Sequence, residues 1–204
     1  MNITVGIFDL FAYSVPGALY LALLAYLGFR LDLVEPAAVA GVPGVLLVVA
    51  VVVLSYLLGY LAYPVGALAN RLLPRRRRRD PRAEFRRRNP AAQDRDYVGA
   101  DPFLLLSGLQ LHDADVAAEV VRLRASGLML RNSAPPLLFA AVAAVVETFA
   151  GPRPVVAAVS AALFAAVSVV LLAQGRKIGH WASIKTLELC FWLPDVDERV
   201  RRSA

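Results

Sequence analysis

The chain has 204 residues, of which 58% are apolar, and a formal net charge of +6. This apolar fraction exceeds the average of about 45–50% for soluble domains. The apolar residues lie in long blocks without charge, as in a bilayer protein. The single cysteine, Cys190, excludes an internal disulfide bond and a cysteine cluster for zinc. His112 and His180 lie too far apart in the sequence for a local metal motif, so we expect no metal and no cofactor.

Four apolar blocks are each long enough to cross a bilayer. The first, residues 10–29, has no charged residue and would extend about 30 Å as a helix, the thickness of the hydrocarbon core. The residues before it include no Lys or Arg, so we expect a retained span and not a cleaved signal peptide. The second and fourth predicted spans lie near residues 44–64 and 154–174. The third begins after Pro135 and Pro136 and reaches about Ala150, and its helix is expected to start earlier, near Leu128.

The connections within each pair of spans are short. Residues 30–36 join the first two spans and residues 151–153 join the last two, so each pair is expected to form an antiparallel hairpin. We therefore predict an all-α integral membrane protein with four transmembrane helices as two hairpins and a small helical cytoplasmic insert. The first hairpin, the basic insert, the second hairpin and the tail are predicted to be residues 1–70, 71–133, 134–175 and 176–204.

Lysine and arginine are distributed unevenly over the predicted loops. Residues 65–133 hold 14 of the 22 basic residues and residues 176–204 hold six, whereas the two short loops hold only Arg30 and Arg153. Because basic residues accumulate on the cytoplasmic side of a membrane, we expect the insert and both termini to lie in the cytoplasm. The predicted location is the bacterial cytoplasmic (inner) membrane.

The most basic stretch directly follows the second span. Its side chains are predicted to contact anionic lipid headgroups, which attract each nearby basic residue by about 1 kcal/mol, or a cytoplasmic protein partner. A nucleic-acid site would need aromatic side chains beside the arginines, and only Phe85 and Tyr97 are close, so we do not expect nucleic acid to bind. The arginines concerned are Arg75, Arg76, Arg77, Arg78, Arg79, Arg86, Arg87 and Arg88.

Two helices are predicted in the insert. Asp101 and Pro102 have the pattern of an N-cap followed by a first helical residue. Asp113 can cap a second helix over residues 114–126, which Gly127 either breaks or kinks into the third span. An insert of this size is too small for a large core of its own. We expect it to pack on the membrane, on the tail or on a neighbouring subunit.

The tail contains an apolar segment with two tryptophans. Residues 178–193 include Trp181 and Trp192 and end before Pro194. Tryptophan favours the interface between membrane and water, so this segment is predicted to form an interfacial helix under the cytoplasmic leaflet. A helix packed on the insert is the alternative.

The second span carries three tyrosines on one helix face. Tyr56, Tyr60 and Tyr63 recur at helical spacing, and Gly59 lies beside them. We predict that these residues pack against a neighbouring helix, and a polar ligand cavity is the alternative. Gly59 also forms a pair of small residues with Ser55 at four-residue spacing, which allows helix backbones to approach closely in lipid.

Two acidic residues lie at the ends of predicted spans. Asp9 and Glu147 are candidates for a polar membrane site, because ionisable residues inside a membrane mark functional positions. Small residues repeat at four-residue spacing in the last two spans and favour self-association, so we expect a homo-oligomer. The clearest rows are Ala157, Ala161 and Ala165, and Ala158, Ala162 and Ala166.

Two segments of the first predicted hairpin are similar to known proteins. The sequences FDLFAYSVPGALYL and YLLGYLAYPVGAL, residues 8–21 and 56–68, resemble the first hairpin of small four-span bacterial membrane proteins, mostly of unknown function. Some of those proteins are membrane components of phage-defence operons, for instance of the Kiwa type. The resemblance implies a signalling or effector role, and it carries over no functional residue.

The sequence has no recognisable catalytic motif. G-x-S-x-G, P-loop, G-x-G-x-x-G and H-E-x-x-H patterns are all absent, so we do not expect an enzyme. The first hypothesis is a membrane module that self-associates and couples a cytoplasmic protein partner to the membrane, as a signalling, scaffold or membrane-permeabilising component. The alternatives are a transporter or channel subunit with a cavity around the tyrosines, and a lipid-modifying membrane enzyme.

Overall fold

The computed structural model describes residues 3–72 and 80–203. Within these ranges the secondary structure is helical and contains no strand, which confirms the all-α prediction. Arg75, Arg76, Arg77, Arg78 and Arg79 lie outside the described residues, and so does the side chain of Asp9. The helices are α1 (Ile3–Arg30), α2 (Pro36–Ala40), α3 (Gly44–Leu61), α4 (Tyr63–Leu72), α5 (Pro81–Arg88), α6 (Pro102–His112), α7 (Ala114–Ala150), α8 (Pro154–Phe191) and α9 (Val196–Ser203).

Four of these helices are long and apolar enough to cross a membrane. They are α1, α3, α7 and α8, and they correspond in order to the four predicted spans. Two short 3₁₀ turns, Pro90–Ala92 and Asp96–Gly99, connect α5 to α6. Length and composition therefore identify a helical membrane protein.

Helix α7 is longer than the third predicted span. It continues without a break through Gly127, which was predicted to end or kink a shorter helix, and through Pro135 and Pro136. The predicted boundary at residue 133 consequently falls inside a helix. Prolines lack the backbone N–H, so Pro135 and Pro136 deprive the carbonyls of Arg131 and Asn132, four residues earlier, of their usual helical donors. Close by, the Ser168 hydroxyl of α8 donates a hydrogen bond of 2.8 Å to the Ala134 carbonyl of α7.

Helix α8 also extends beyond the fourth predicted span. It has 38 residues and includes most of the tail segment 178–193, which was predicted to be a separate helix. Gly175 and Gly179 are in the ordinary helical region, since no described glycine has a positive φ. The expected break between the span and the tail is therefore absent.

The chain forms two compact units. The membrane unit comprises Met1–Leu73 and Leu128–Gly175, and the insert–tail unit comprises Pro74–Gly127 and Arg176–Ala204. Helices α7 and α8 each contribute residues to both units. The insert and the tail thus fold together, although the second pair of spans separates them in the sequence.

The insert–tail unit has an apolar core of its own. Phe85 and Tyr97 from the insert pack with Leu187 and Cys190 from α8, and the C-terminal Val196 completes this cluster. A second cluster joins α6 to the start of α7 through Leu109, Ala117 and Val120. The tail segment therefore packs on the insert through its buried face. Trp181 and Trp192 remain exposed.

The two predicted N-caps of the insert are confirmed. The Asp101 carboxylate accepts hydrogen bonds from the backbone N–H groups of Phe103 and Leu104. Asp113 accepts from those of Asp115 and Val116. Each carboxylate satisfies two N–H groups that have no partner inside the helix, and this fixes where α6 and α7 begin.

In the membrane unit, α1 and α3 pack closely and run antiparallel. A Cβ atom placed on Gly17 would lie 2.6 Å from the backbone nitrogen of Gly59 and closer still to the Ser55 carbonyl oxygen. A Cβ on Gly59 would lie 2.6 Å from the Tyr13 carbonyl carbon. Only residues without a bulky side chain allow the backbones to come this close.

Candidate functional site

The tyrosines of α3 pack around Tyr13 of α1. The Tyr13 ring lies 6.1 Å from the Tyr56 ring in an edge-on arrangement and 5.5 Å from the Tyr60 ring. Gly59 lies against the Tyr13 backbone between them. Both α3 rings stay exposed on their outer side. The geometry favours the packing interpretation of these residues over a polar cavity.

Tyr63 belongs to a separate polar layer where α4 meets α7. The Arg131 guanidinium lies 5.2 Å from the Tyr63 ring centroid, and its Nε donates a hydrogen bond of 3.3 Å to the Asn132 side-chain oxygen. Gly66 of α4 lies directly against Asn132. Within the described residues, the Asn132 amide nitrogen and the Ser133 hydroxyl are buried without a hydrogen-bond partner.

This polar layer was not predicted from the sequence. The signal was the pair Asn132-Ser133 in the helix expected to lead into the third span, since polar side chains in a membrane helix commonly face another helix. Both residues are buried, with exposures of 1% and 4%. The layer therefore contributes to the packing of α4 against α7.

The membrane unit also contains an elongated apolar groove between α1, α7 and α8. Its volume is about 510 Å³, within the range of roughly 300–1,000 Å³ that is common for ligand sites. None of the tyrosines of α3 lines it. The apolar walls include Leu19, Leu23, Ala140, Ala144, Ala157 and Phe164.

One end of the groove, its mouth, is polar. Glu147 of α7 forms an ion pair with Arg30, the last residue of α1, and Tyr26 of α1 also lines the groove. A Cβ on Gly151 would lie 2.7 Å from the Glu147 carbonyl oxygen, so a glycine is needed where the chain turns towards α8. The mouth thus joins the end of α1 to the end of α7.

The sequence identified Glu147 as a candidate polar residue but did not identify its partner. A signal was present: the short loops hold only two basic residues, Arg30 and Arg153, so an acid at the same end of the spans has few partners available. Asp9, the other candidate, is in α1, and its surroundings are outside the described residues.

Arg153 is the second cation at the mouth. It lines the groove and is exposed, between Pro152 and Pro154. The two prolines restrict the backbone on both sides of it. In the described part of the chain its guanidinium forms no ion pair and no hydrogen bond, whereas its backbone carbonyl accepts from the Ala157 N–H at 3.1 Å. Arg153 is therefore a positive charge at the mouth that no described acid compensates.

In the insert–tail unit, the arginines at the end of the basic stretch lie on α5, a helix that the sequence analysis did not predict. Asp80 caps this helix and accepts from the Arg82 backbone N–H. The sequence signal was Asp80-Pro81, the same pattern that predicted α6. Arg86, Arg87 and Arg88 are all exposed.

Glu84 connects α5 to the tail. Its carboxylate lies 2.9 Å from His180 Nε2 of α8 and forms an ion pair with Arg88. The hydrogen bond with His180, together with the positive charge of Arg88, holds the pKa of Glu84 below its ordinary value of 4.5. This polar contact supplements the apolar contacts that join the insert to the tail.

The two aromatic residues near the arginines are inside the core. Phe85 and Tyr97 are almost fully buried and lie 6.4 Å apart, edge to face. The Tyr97 hydroxyl donates to the Leu187 carbonyl at 3.3 Å, and burial raises its pKa above the ordinary value. Neither ring is accessible for stacking on a nucleic-acid base.

The described residues contain no group of three or more His, Cys, Asp or Glu side chains that could hold a metal ion. The Cys190 thiol is buried in the core, with its Sγ 3.7 Å from the Leu105 carbonyl oxygen. Both clusters of charged side chains described above, around Glu147 and around Glu84, are ion pairs between helices.

Comparison with models of protein families, with curated proteins and with solved structures finds no match for this chain. The fold and the four apolar helices define the class, a helical membrane protein with a separate insert–tail unit. The similarity of residues 8–21 and 56–68 to membrane components of phage-defence operons stays a prediction. The function must be argued from the geometry of the two units.

Proposed function

We propose that this chain is a non-enzymatic module of the bacterial cytoplasmic membrane that self-associates and couples a cytoplasmic protein partner to the membrane. Its four spans form two hairpins, and the insert–tail unit and both termini lie in the cytoplasm. The distribution of basic residues supports this orientation, because 20 of the 22 lie in the insert and the tail. The first hairpin resembles membrane components of phage-defence operons, and this resemblance favours a role in phage defence.

The observation that carries the proposal is the shared core of the insert and the tail. Phe85 and Tyr97 pack with Leu187 and Cys190, so residues before and after the last two spans must lie on the same side of the membrane. An even number of crossings between them meets this requirement. Two spans, α7 and α8, lie between these segments. The core thus supports a hairpin independently of the charge distribution.

The surface of the insert–tail unit suits a protein partner with acidic and apolar groups. Arg86 and Arg87 are exposed on α5, and Phe103, Leu111 and Trp192 are exposed large apolar side chains. Arginine and aromatic residues are enriched in protein interfaces. Since the buried Phe85 and Tyr97 cannot stack on bases, a protein is favoured over a nucleic acid.

Self-association is supported by the exposed alanine row of α8. Ala161, in the other row, is buried within the chain, whereas Ala158, Ala162 and Ala166 are exposed. A row of small side chains allows a second helix to approach closely in lipid, where dispersion contacts replace the hydrophobic effect. This row is therefore the surface that we assign to the contact between copies.

Cysteine labelling tests the orientation. Because the native Cys190 is buried, the unmodified chain is the control for background labelling. In cells whose inner membrane is intact, a membrane-impermeant maleimide should label Leu33→Cys, in the first short loop, and should label Ala83→Cys, on α5, only after lysis. Labelling of Ala83→Cys in intact cells would overturn the proposed topology.

A matched pair of variants tests self-association. Ala162→Ile adds bulk to the exposed alanine row and should lower the oligomer fraction, measured by single-molecule photobleaching in vesicles. Leu163→Ile, at the next and also exposed position, keeps its volume and should leave the oligomer fraction unchanged. An oligomer that tolerates Ala162→Ile as well as Leu163→Ile would exclude this row as the contact.

Induced expression tests the function in the cell. If assembly permeabilises the membrane, expression should depolarise it, measured with a potential-sensitive dye, and Ala162→Ile should reduce the depolarisation in parallel with the oligomer fraction. Depolarisation that is independent of the oligomer fraction would contradict a role for assembly. A scaffold or signalling role would leave the membrane potential unchanged. In that case, replacing both Arg86 and Arg87 by Glu, which reverses their charge, should abolish recruitment of the cytoplasmic partner.

A further inference from the structure

We propose that the groove of the membrane unit binds one acyl chain of a phospholipid and that Arg153 binds its phosphate. The three helices that form the groove, α1, α7 and α8, are all candidate spans. A groove that opens towards the bilayer fills with hydrocarbon, and the chemistry of its mouth then selects the headgroup. The length of the groove, the nature of its walls and the charges at its mouth all support this binding.

The length of the groove matches one leaflet. Along α8 it extends from Arg153 to Phe164, and along α7 from Glu147 back to Pro136. Each is eleven residue steps, or roughly 16 Å at 1.5 Å per residue, which is about half of the 30 Å hydrocarbon core. Phe164 and Pro136 lie at the inner end. A single acyl chain, anchored at the membrane surface, has this reach.

The walls are apolar and lined by small side chains. Ala140 and Ala144 of α7 and Ala157 of α8 face a groove of about 510 Å³, and their small size leaves space that leucine would fill. Below the mouth the hydroxyl of Ser160 is the main polar group. Such a surface suits a flexible hydrocarbon chain and cannot satisfy polar groups in the interior.

The charges at the mouth favour an anionic headgroup. Glu147 is already paired with Arg30, so its negative charge is compensated. Arg153 has no described ionic partner and lies at the level where the spans end. Guanidinium and phosphate form strong bidentate hydrogen bonds. The combination of an apolar groove and a free arginine therefore fits a phospholipid better than a free phosphate or a helix of a second copy.

The proposed lipid binding depends only on the groove. The leaflet that supplies the lipid depends on the topology proposed above. The mouth lies at the ends of the spans joined by residues 31–43 and 151–153, which the proposed topology places on the periplasmic side. If cysteine labelling reversed the topology, the lipid would belong to the cytoplasmic leaflet. The two proposals can therefore fail separately.

Native mass spectrometry of the full-length, delipidated protein in detergent tests the proposal. The probes are phosphatidylglycerol, the diacylglycerol with the same chains, and inorganic phosphate. We expect one tightly bound phosphatidylglycerol, with an affinity about tenfold or more above that for diacylglycerol, because a charge-assisted phosphate contact is strong. We expect no retention of inorganic phosphate alone, because the walls would contribute nothing.

Two pairs of variants identify the parts of the site. Arg153→Gln should weaken phosphatidylglycerol binding about tenfold or more, whereas Arg153→Lys keeps the charge and should stay within about threefold. Val156→Trp fills the groove and should abolish binding. Val159→Trp is the control on the same helix, since Val159 is exposed and does not line the groove, and it should bind as the parent does.

Circular dichroism verifies that each variant keeps its helix content. Arg153→Gln changes an exposed loop residue, so its result stands even if Val156→Trp fails to fold. Unchanged binding in Arg153→Gln, equal affinity for phosphatidylglycerol and diacylglycerol, or equal binding in the two tryptophan variants would each overturn the proposal.

Discussion

In the insert–tail unit the most deeply buried side chains are large and apolar, such as Phe85 and Leu109, and most of the described arginines of this unit, such as Arg86 and Arg122, are exposed. In the membrane unit the pattern is reversed. The closest contacts there are made by Gly17, Ser55 and Gly59, while large apolar side chains of α3 are exposed; Val45 is 77% exposed and Leu61 is 73% exposed.

The reversal follows from the solvent of each unit. Water drives large apolar side chains together, at about 25 cal/mol per Å² of buried apolar surface, so the insert–tail unit forms a core. Lipid solvates valine and leucine as well as a protein interior does, so the membrane unit is held together by close packing and polar contacts. The same residue type therefore has opposite roles in the two units.

The largest contrast is expected for phenylalanine. Phe85→Ala removes a side chain that is 1% exposed, and it should destabilise the insert–tail unit by about 3–5 kcal/mol. Phe149→Ala, on α7 in the membrane unit, removes one that is 87% exposed, and it should change stability by less than about 0.5 kcal/mol. Hydrogen exchange of the amides in α5, α6 and α7 measures both effects. Similar loss of protection in the two variants would contradict the contrast.

The next largest contrast is expected for glycine. Here a substitution should destabilise the membrane unit and stabilise the insert–tail unit. Gly59→Ala forces a methyl group into the Tyr13 backbone and should destabilise the α1–α3 pair by about 1–3 kcal/mol. Gly179→Ala, in α8 of the insert–tail unit, meets no atom within 4 Å and should stabilise the helix by about 0.5–1 kcal/mol. Thermal unfolding in detergent, monitored by circular dichroism, shows whether each substitution stabilises or destabilises the protein. A stabilising Gly59→Ala would show that α1 and α3 are not packed through this contact.

A smaller effect is expected at Tyr60. Tyr60→Ala removes the ring that packs on Tyr13 and should cost about 0.5–1.5 kcal/mol. Tyr60→Phe keeps the ring and should be nearly neutral, because the contact is made by the rings. Thermal unfolding of the two variants separates packing from a polar cavity, since only a cavity would make Tyr60→Phe as harmful as Tyr60→Ala.

The smallest expected effect is the acid sensitivity of the insert–tail unit. The pKa of Glu84 is below its ordinary value of 4.5 in the folded protein. A group with a lowered pKa stabilises the fold above its unfolded pKa, and this contribution is lost as the pH falls through the folded value. The contacts with His180 and Arg88 should therefore weaken only below about pH 4.5.

Glu84→Gln removes this pH dependence. Its melting temperature should be lower than that of the parent at neutral pH, and the difference should shrink as the pH is lowered below about 4.5. Glu198→Gln is the control, because Glu198 forms an exposed ion pair with Arg202 and such pairs contribute little. A difference between Glu84→Gln and the parent that stays constant down to about pH 3 would contradict the lowered pKa.

The sequence by itself determined the features that depend on short stretches of the chain. Charge-free blocks of sufficient length identified the four spans, since the thickness of the bilayer imposes that length. The carboxylates of Asp101 and Asp113 identified the starts of α6 and α7, because an N-cap acts on residues two or three positions away. Asp80 gave the same signal for α5, and the sequence analysis did not use it.

Only the tertiary structure decided which distant residues meet. Arg30 and Glu147 are 117 positions apart, and Glu84 and His180 are 96 apart; no local pattern relates them. The hydrogen bond from the Ser168 hydroxyl of α8 to the Ala134 backbone carbonyl of α7 likewise forms only when the two helices are adjacent. The groove, with Arg153 at its mouth, exists for the same reason, since a cavity is defined by the spacing of three helices and not by any one of them.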